Sequence, residues 1–399
     1  MRKKTFKQMA ILLMAIFMMS TVVGCGDKKD PEPTTPTPAT PTAEAIKIGA
    51  NVELSGAVAS YGSNSLEGMQ LAVAQVNAAG GVLGRNLEIV VKDNKSEGAE
   101  STSVAAALAN EGIVVQLGPL ISGSVSATIP ILTEQQIPVI GPASTAANVT
   151  VDKDGVVYDY AFRVCFIDDF QGTLMAQFAL ESGYLTAAIY KDNSSDYGKG
   201  LAAAFKASFE AGGGSIVAEE GFASEDKDFR ATLNSIKGKN PEFIYVPGYY
   251  QEVSLLIKQA RELEIAAPIG GCDGWDSPTM VEVAGADALN NTYFTNHYSS
   301  EDTDAKVVDF VAAYKAKYND KTPDSFAALG YDAVMITVEA LNQAGEVDSI
   351  KLKDALSGIT DFQGVTGNMT IDEKHNPIKA GVIIEFVDGA QMMKTRIQP

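Results

Sequence analysis

The feature that most limits what this chain can fold into is an alternation of apolar runs and helical periods that occurs twice along it. In the first half, "IKIGANV", "LEIVVKD", "GIVVQLG" and "IPVIGPA" are mainly apolar, strand-like runs. Such runs read as parallel strands buried on both faces rather than half-exposed antiparallel ones. Between them, "SLEGMQLAVAQVNAAGG" and "GAESTSVAAALANEG" carry a helical period and close on glycine. In the second half the strands are "TAAIYKDN", "IVAEEG", "EFIYVPGYY" and "APIGGCDGW", and the helices "GLAAAFKASFEAGGG", "FRATLNSIKGKN" and "VSLLIKQARELEI". Alternation of this kind predicts α/β architecture with a doubly wound, mostly parallel sheet in each half. Landmarks match between the halves: Tyr61-Gly62 with Tyr197-Gly198, Gly80-Gly81 with Gly212-Gly213, Gly118 with Gly248, and Gly141-Pro142-Ala143 with Gly271-Cys272-Asp273. Open α/β sheets bind ligands outside the carboxyl ends of their strands. Two lobes facing each other through those ends would form one cleft lined from both sides; the alternative is a tandem duplication with two unrelated sites.

The start of the chain has a different logic. Arg2, Lys3, Lys4 and Lys7 precede a mainly apolar run from Met9 to Val23, the pattern of a secretory signal. The run is short for a membrane span, which needs about 20 apolar residues; a retained membrane helix is the alternative. Val22-Val23-Gly24-Cys25 resembles the bacterial lipobox, which implies a signal over residues 1–24, cleavage before Cys25 and lipid on that cysteine. Residues 25–45 are polar, rich in Pro and Thr, and lack an apolar period. They read as an extended, semi-rigid tether holding a soluble domain off the outer face of a membrane. Without the four basic residues of the signal, 27 basic residues remain against 50 acidic ones, a balance that argues against nucleic acid and against a basic membrane-binding face. Of the three cysteines, Cys165 and Cys272 lie far apart with no metal-ligand spacing; they are either a disulfide or two small buried thiols.

Taken together, "LSGAVASYGSNSLEGMQLAVAQVNAAGGVLGRNLEIVVKD", "GPLISGSVS", "IPVIGPASTAANVT", "DNSSDYGKG", "YVPGYYQE" and "IGGCDGW" resemble the leucine/isoleucine/valine-binding proteins of ABC importers, over nearly everything from Ile46 onward. The resemblance implies a type I periplasmic-binding-protein (Venus flytrap) fold, with three hinge crossings near Arg163, Asn296 and Ile378. Lobe 1 would comprise residues 46–163 and 296–377, lobe 2 residues 164–295 and 378–399.

An amino acid presents a carboxylate, an ammonium and a side chain. A carboxylate wants backbone N–H groups and hydroxyls at a helix N-terminus. Ser122 in "LISGSVSAT" meets that demand as a helix starts, and "PASTAANVT" makes a second such turn with Ala143 and Thr145; for Ser122 alone, an ordinary helix cap is the competing reading. The resemblance implies that Ser122 and Thr145 bind the carboxylate and that Ala143 acts through its carbonyl. An ammonium wants an acid. Asp273, between glycines at a strand end, is either that acid or a solvated turn residue; the resemblance implies the former, with aspartate where the family's best-known members carry glutamate, and adds Tyr197 as an aromatic neighbour of the ammonium. Tyr61, Ile121, Tyr249, Trp275 and Phe326 are candidates for an apolar wall, with core packing the competing reading for Phe326.

Signs of catalysis are scarce. The chain has two histidines, His297 and His375, and no nucleophile elbow, P-loop or H-E-x-x-H motif. The adjacent pairs Asp168-Asp169 and Glu219-Glu220 read as surface. The expectation is a non-enzymatic, monomeric, lipid-anchored binding protein on the extracytoplasmic face of the cell membrane, without cofactor or metal. It would deliver leucine, isoleucine or valine to ABC permease subunits and their ATPases. The alternative is a ligand-sensing receptor or regulator of the same fold for a small amide or another neutral or aromatic acid.

Overall fold

A computed structural model describes residues 44–398; the signal, Cys25 and nearly all of the tether lie outside the described residues. The strands are β1 (Ile46–Val52), β2 (Leu87–Asp93), β3 (Gln116–Leu117), β4 (Val139–Gly141), β5 (Ala161–Arg163), β6 (Thr186–Asp192), β7 (Ser215–Phe222), β8 (Phe243–Tyr245), β9 (Ile269–Gly271), β10 (Thr292–Asn296), β11 (Phe362–Gly364), β12 (Gly367–Ile371), β13 (Pro377–Ile378), β14 (Gly381–Val387) and β15 (Ala390–Ile397). The helices are α1 (Ala59–Ala78), α2 (Gly98–Asn110), α3 (Ser122–Glu134), α4 (Asp168–Glu181), α5 (Asp196–Ala211), α6 (Arg230–Gly238), α7 (Tyr250–Glu262), α8 (Thr279–Ala284), α9 (Ala286–Leu289), α10 (Ala305–Lys317), α11 (Ser325–Ala344) and α12 (Ser349–Ser357).

The strands form two principal sheets. One has the order β2-β1-β3-β4-β5 and is parallel throughout. The other has the order β15-β14-β10-β9-β8-β6-β7. Its strands β6 to β10 are parallel, while β14 and β15 add antiparallel edges. Read from β7 inward, the second sheet repeats the order of the first, so the duplicated pattern is a duplicated topology. The central strand β1 is buried on both faces as expected, every residue except Lys47 being buried, and each large apolar side chain so placed contributes about 1.5–3 kcal/mol. Strand β2 corrects the reading, since it is the edge of its sheet and only Leu87 in it is buried.

The chain leaves the first sheet after Arg163 at the end of β5, leaves the second after Asn296 at the end of β10, and re-enters it after β13. Between the last two passages, α11 packs along α1 at backbone distance. A side chain at Gly68 would strike the carbonyl of Ala327, and one at Gly330 the carbonyl of Ser65, so this approach requires glycine on both helices. It brings Phe326, at the start of α11, onto Tyr61 near the start of α1. The crossings are pinned by buried cations: Lys379 after β13 donates to the Val164 carbonyl at 3.2 Å and to the Thr366 hydroxyl, and Arg163 reaches the Ser144 carbonyl at 2.8 Å. Cys165 and Cys272 are separate buried thiols, which settles the alternative left open by the sequence; burial pushes the Cys165 thiol up to about 12.

Candidate ligand-binding site

Each lobe turns the carboxyl ends of its parallel strands toward the other, and a small cavity lies between them. Its lining comes from the segments that leave those ends: Tyr61 after β1, Leu120, Ile121 and Ser122 after β3, Ala143 after β4, Tyr197 after β6, Tyr249 after β8, Asp273 and Gly274 after β9, with Phe326 from α11. Eight of the ten expected ligand-binding residues therefore meet at one place.

The first lobe's side is built on the N-terminus of α3. Ser122 accepts from the Ala146 N–H at 3.1 Å through its hydroxyl oxygen, which leaves the hydroxyl hydrogen free to donate and ties the two turns of this lobe together. The N–H groups of Leu120 and Ile121 are taken by the buried carboxyl of Glu53, at 3.1 and 3.3 Å. Burial raises the Glu53 pKa to about 7 against the pull of these donors.

The second lobe's side is built around Asp273. Its carboxylate accepts from the Tyr197 hydroxyl at 2.5 Å and lies 3.0 Å from Nε2 of His297. Its own N–H donates to Gln171 at 2.7 Å, and the same oxygen of Gln171 accepts from Thr295 at 2.6 Å. Burial and the neighbouring Asp273 charge hold the Tyr197 phenol well above its ordinary pKa, so it stays a donor. Gly274 is gripped from both lobes: its N–H donates to Tyr197 at 2.9 Å, and its carbonyl accepts from the Tyr61 hydroxyl. A side chain here would meet the two phenol oxygens at 2.9 and 3.3 Å, so glycine is required by close approach. Aromatic rings complete the wall. Tyr61 stacks on Phe326 with centroids 4.1 Å apart, and Tyr197 on Tyr249 at 5.1 Å. Further links span the cleft: the Tyr250 hydroxyl to the Ala57 carbonyl at 3.2 Å, and Asn148 to Asp196 at 2.9 Å.

Two expected residues do not line the cavity. Trp275 is fully buried, donates to the Val246 carbonyl at 3.2 Å and lies over Gly271. The reason is local: Asp273–Trp275 is one 3₁₀ turn, and at three residues per turn a side chain two positions on points elsewhere. Thr145 is also buried; its carbonyl accepts from the Asp168 N–H at 3.0 Å, and its hydroxyl has no partner among the described residues. Asp168 corrects the surface reading of its pair. It is buried at the start of α4 while Asp169 is exposed, because adjacent helical residues point to different sides. Both its oxygens lack partners among the described residues, and burial raises its pKa well above the usual carboxyl range. Sequence reasoning also missed Leu120, Gly274, Glu53, Gln171 and His297. The first two flank residues that were singled out; the other three, Glu53 just after β1, Gln171 on α4 and His297 just after β10, act on partners remote in sequence and carry no local signal.

A family model described as periplasmic binding protein matches residues 45–391. The chain belongs to the periplasmic binding protein family. Among its relatives is the leucine-, isoleucine-, valine-, threonine-, and alanine-binding protein of Pseudomonas aeruginosa, 32% identical over 333 residues, which are 83% of this chain and 87% of that one. Among solved structures, the branched-chain amino acid transporter substrate binding protein LivJ from Streptococcus pneumoniae, in complex with isoleucine, has a TM-score of 0.83 and 39% identity, covering 89% of this chain and 100% of that one. A leucine binding protein LivK from Thermotoga maritima has a TM-score of 0.83 and 34% identity, covering 89% and 99%. The architecture is thus the two-lobed type I periplasmic-binding-protein fold. The family is one of extracytoplasmic binding proteins rather than enzymes, and among the described residues no helix is long and apolar enough to cross a membrane.

Proposed function

We propose that this periplasmic binding protein captures a neutral amino acid, leucine, isoleucine or valine before others, between its two lobes and delivers it to an ABC permease driven by ATPases. The observation that carries this reading is the polarity of one small cavity. A helix N-terminus with a free hydroxyl hydrogen faces it from one lobe, a buried carboxylate faces it from the other, and aromatic and aliphatic walls lie between. A zwitterion with an apolar side chain satisfies all three. The carboxylate meets Ser122 and the start of α3, with Ala143 on the neighbouring turn, and the ammonium meets Asp273. Each buried CH₂ adds about 0.8 kcal/mol against Tyr61, Ile121, Tyr249 and Phe326. A charged side chain would be stranded there at a cost of several kcal/mol. The lobes, residues 46–163 with 296–377 and 164–295 with 378–399, would close about the three crossings. Lipid on Cys25 and the tether to residue 45 would hold the monomeric protein on the outer face of the membrane. Replacing Cys25 by Ser should release the protein in cell fractionation, and membrane retention with normal processing would refute the anchor.

A thermal-shift screen over the amino acids tests the ligand, because a compound that binds only the folded state raises the melting temperature. Leucine, isoleucine and valine should give the largest shifts. Largest shifts with glutamate or lysine and none with the aliphatic residues would overturn the apolar pocket; a response to aromatic acids alone would move the reading to that class.

A further inference from the structure

We infer that His297 is a positioning residue of this site: from the second crossing between the lobes, it holds the Asp273 carboxylate in the orientation that meets the ligand's ammonium group. The inference rests on the reading of Asp273 as the ammonium acceptor and goes beyond it by naming what aims that acid.

His297 directly follows β10, where the chain leaves the second sheet. Its side chain is fully buried, and Nε2 lies 3.0 Å from one carboxylate oxygen of Asp273. The ring is held in place from behind. It stacks on Phe166, a residue of the first crossing, with centroids 3.7 Å apart and planes 28° from parallel. Its backbone N–H donates to the Asn296 side chain at 2.8 Å, and Asn296 in turn donates to Asp276 at 2.9 Å. Backbone and ring are therefore both fixed, and a fixed donor fixes its acceptor.

The geometry also assigns the proton. Nδ1 of His297 is buried and has no partner among the described residues. An imidazolium would bury an N–H there with no acceptor, whereas the neutral ring with its proton on Nε2 leaves only an unshared lone pair. Burial pushes the ring toward the neutral form as well, against the opposing pull of Asp273. A neutral donor suits the task, since a second cation would compete with the ligand's ammonium for one carboxylate. With Tyr197 on one oxygen of Asp273 and His297 on the other, each oxygen keeps a lone pair for the ligand. An aspartate is one methylene shorter than a glutamate and has less freedom to find an ammonium by itself; two donors behind it replace that freedom with a set direction. Because one of them stands on a crossing, the aim of the acid is referred to the hinge as well as to the second lobe.

The test compares two ligands that differ only at the group Asp273 is read to bind: L-leucine and (S)-2-hydroxy-4-methylpentanoate, which has the same carboxylate and side chain and a hydroxyl in place of the ammonium. Binding is measured by calorimetry for the wild type, His297→Leu and His297→Gln. The wild type should prefer leucine. His297→Leu should narrow that preference roughly 10- to 100-fold, the range expected when a hydrogen bond to a charged group is lost, with little change for the hydroxy acid. His297→Gln, whose amide nitrogen reaches about as far as Nε2, should keep most of the preference. An unchanged preference in His297→Leu, or an equal loss for both ligands, would overturn the inference and leave the ligand reading standing. A wild type without preference for leucine would overturn both, because Asp273 is then no ammonium acceptor. If His297→Leu does not fold, the wild type still decides: with two histidines in the chain, ¹⁵N spectra of the leucine-bound protein should show one ring protonated on Nε2 and bare at Nδ1, and the opposite tautomer or a charged ring at His297 would refute the assignment.

Discussion

In the first lobe, the loop after β3 runs into a helix N-terminus that carries Ser122; at the corresponding place in the second, the loop after β8 runs into one that begins with Tyr249 and Tyr250. After β4 the first lobe offers Ala143, and after β9 the second offers Asp273. Only the tyrosines of α1 and α5, Tyr61 and Tyr197, are alike, and both hold Gly274. The scaffold is repeated while the chemistry is inverted: hydroxyl and helix terminus on one side, acid and phenols on the other. A duplicated fold can thus serve a molecule whose two ends carry opposite charge, with no change in strand order and with different residues at a few strand ends.

This division can be broken most directly by removing one polar group from each lobe. Asp273→Asn leaves a buried ammonium without its counter-charge, a loss of about 3–5 kcal/mol in binding. Ser122→Ala removes one charge-assisted hydrogen bond, about 1.5–3 kcal/mol. Calorimetry should rank them in that order for every amino acid that binds; unchanged affinity in both would place the site elsewhere.

The next effect separates the lobes by pH. The first lobe already holds a carboxyl of its own, Glu53, raised to about 7, and at the start of α11 Asp324 is raised to about 8, both chiefly by burial. The native state keeps protons on these groups that the unfolded chain releases above its ordinary carboxyl range. Their contribution to stability is therefore lost as pH rises from about 4.5 to 8. Lys379, lowered to about 8 from 10.5 by burial, works the other way: between those values the unfolded chain holds the extra proton, and its contribution grows with pH. Urea unfolding across this range should show the fall, and Glu53→Gln should flatten it by on the order of 3 kcal/mol. An unflattened curve would mean that Glu53 ionises normally.

Smaller still is the shared grip on Gly274. Tyr61→Phe removes the hydroxyl that reaches the Gly274 carbonyl from the opposite lobe, a net change of about 0.5–1.5 kcal/mol that should appear as faster ligand release in stopped-flow. The smallest effect on binding belongs to Trp275→Phe. Its indole lies outside the cavity, so affinity should stay within error while thermal stability falls; the reverse result would return Trp275 to the wall.

How much of this was legible depended on the range of the interaction. The strands and their duplication could be read because a doubly buried strand must be mainly apolar along its length, as β1 is in the quoted run "IKIGANV", whereas the edge position of β2 leaves no clear mark in "LEIVVKD". A helix start and a glycine-flanked strand end marked the places of Ser122 and Asp273, but each local signal also fitted a plain helix cap or a solvated turn, and the family resemblance was needed to choose between them. The direction of Trp275 was not, since the 3₁₀ turn that rotates it away leaves no mark in "CDGW". Glu53, Gln171 and His297 act on partners 67, 102 and 24 residues away, and a single sequence does not show such pairings.

The hold of Tyr61 on the opposite lobe also supplies a clock. The Tyr250 N–H donates to the Tyr61 hydroxyl at 3.4 Å, a bond that exists only while the lobes are together, whereas the Gly274 N–H is held by Tyr197 within its own lobe. Hydrogen exchange at these two amides would run at different rates for different reasons. Exchange at Tyr250 counts openings of the cleft, and exchange at Gly274 counts loosening of the second lobe, so their ratio would separate breathing between the lobes from breathing within one.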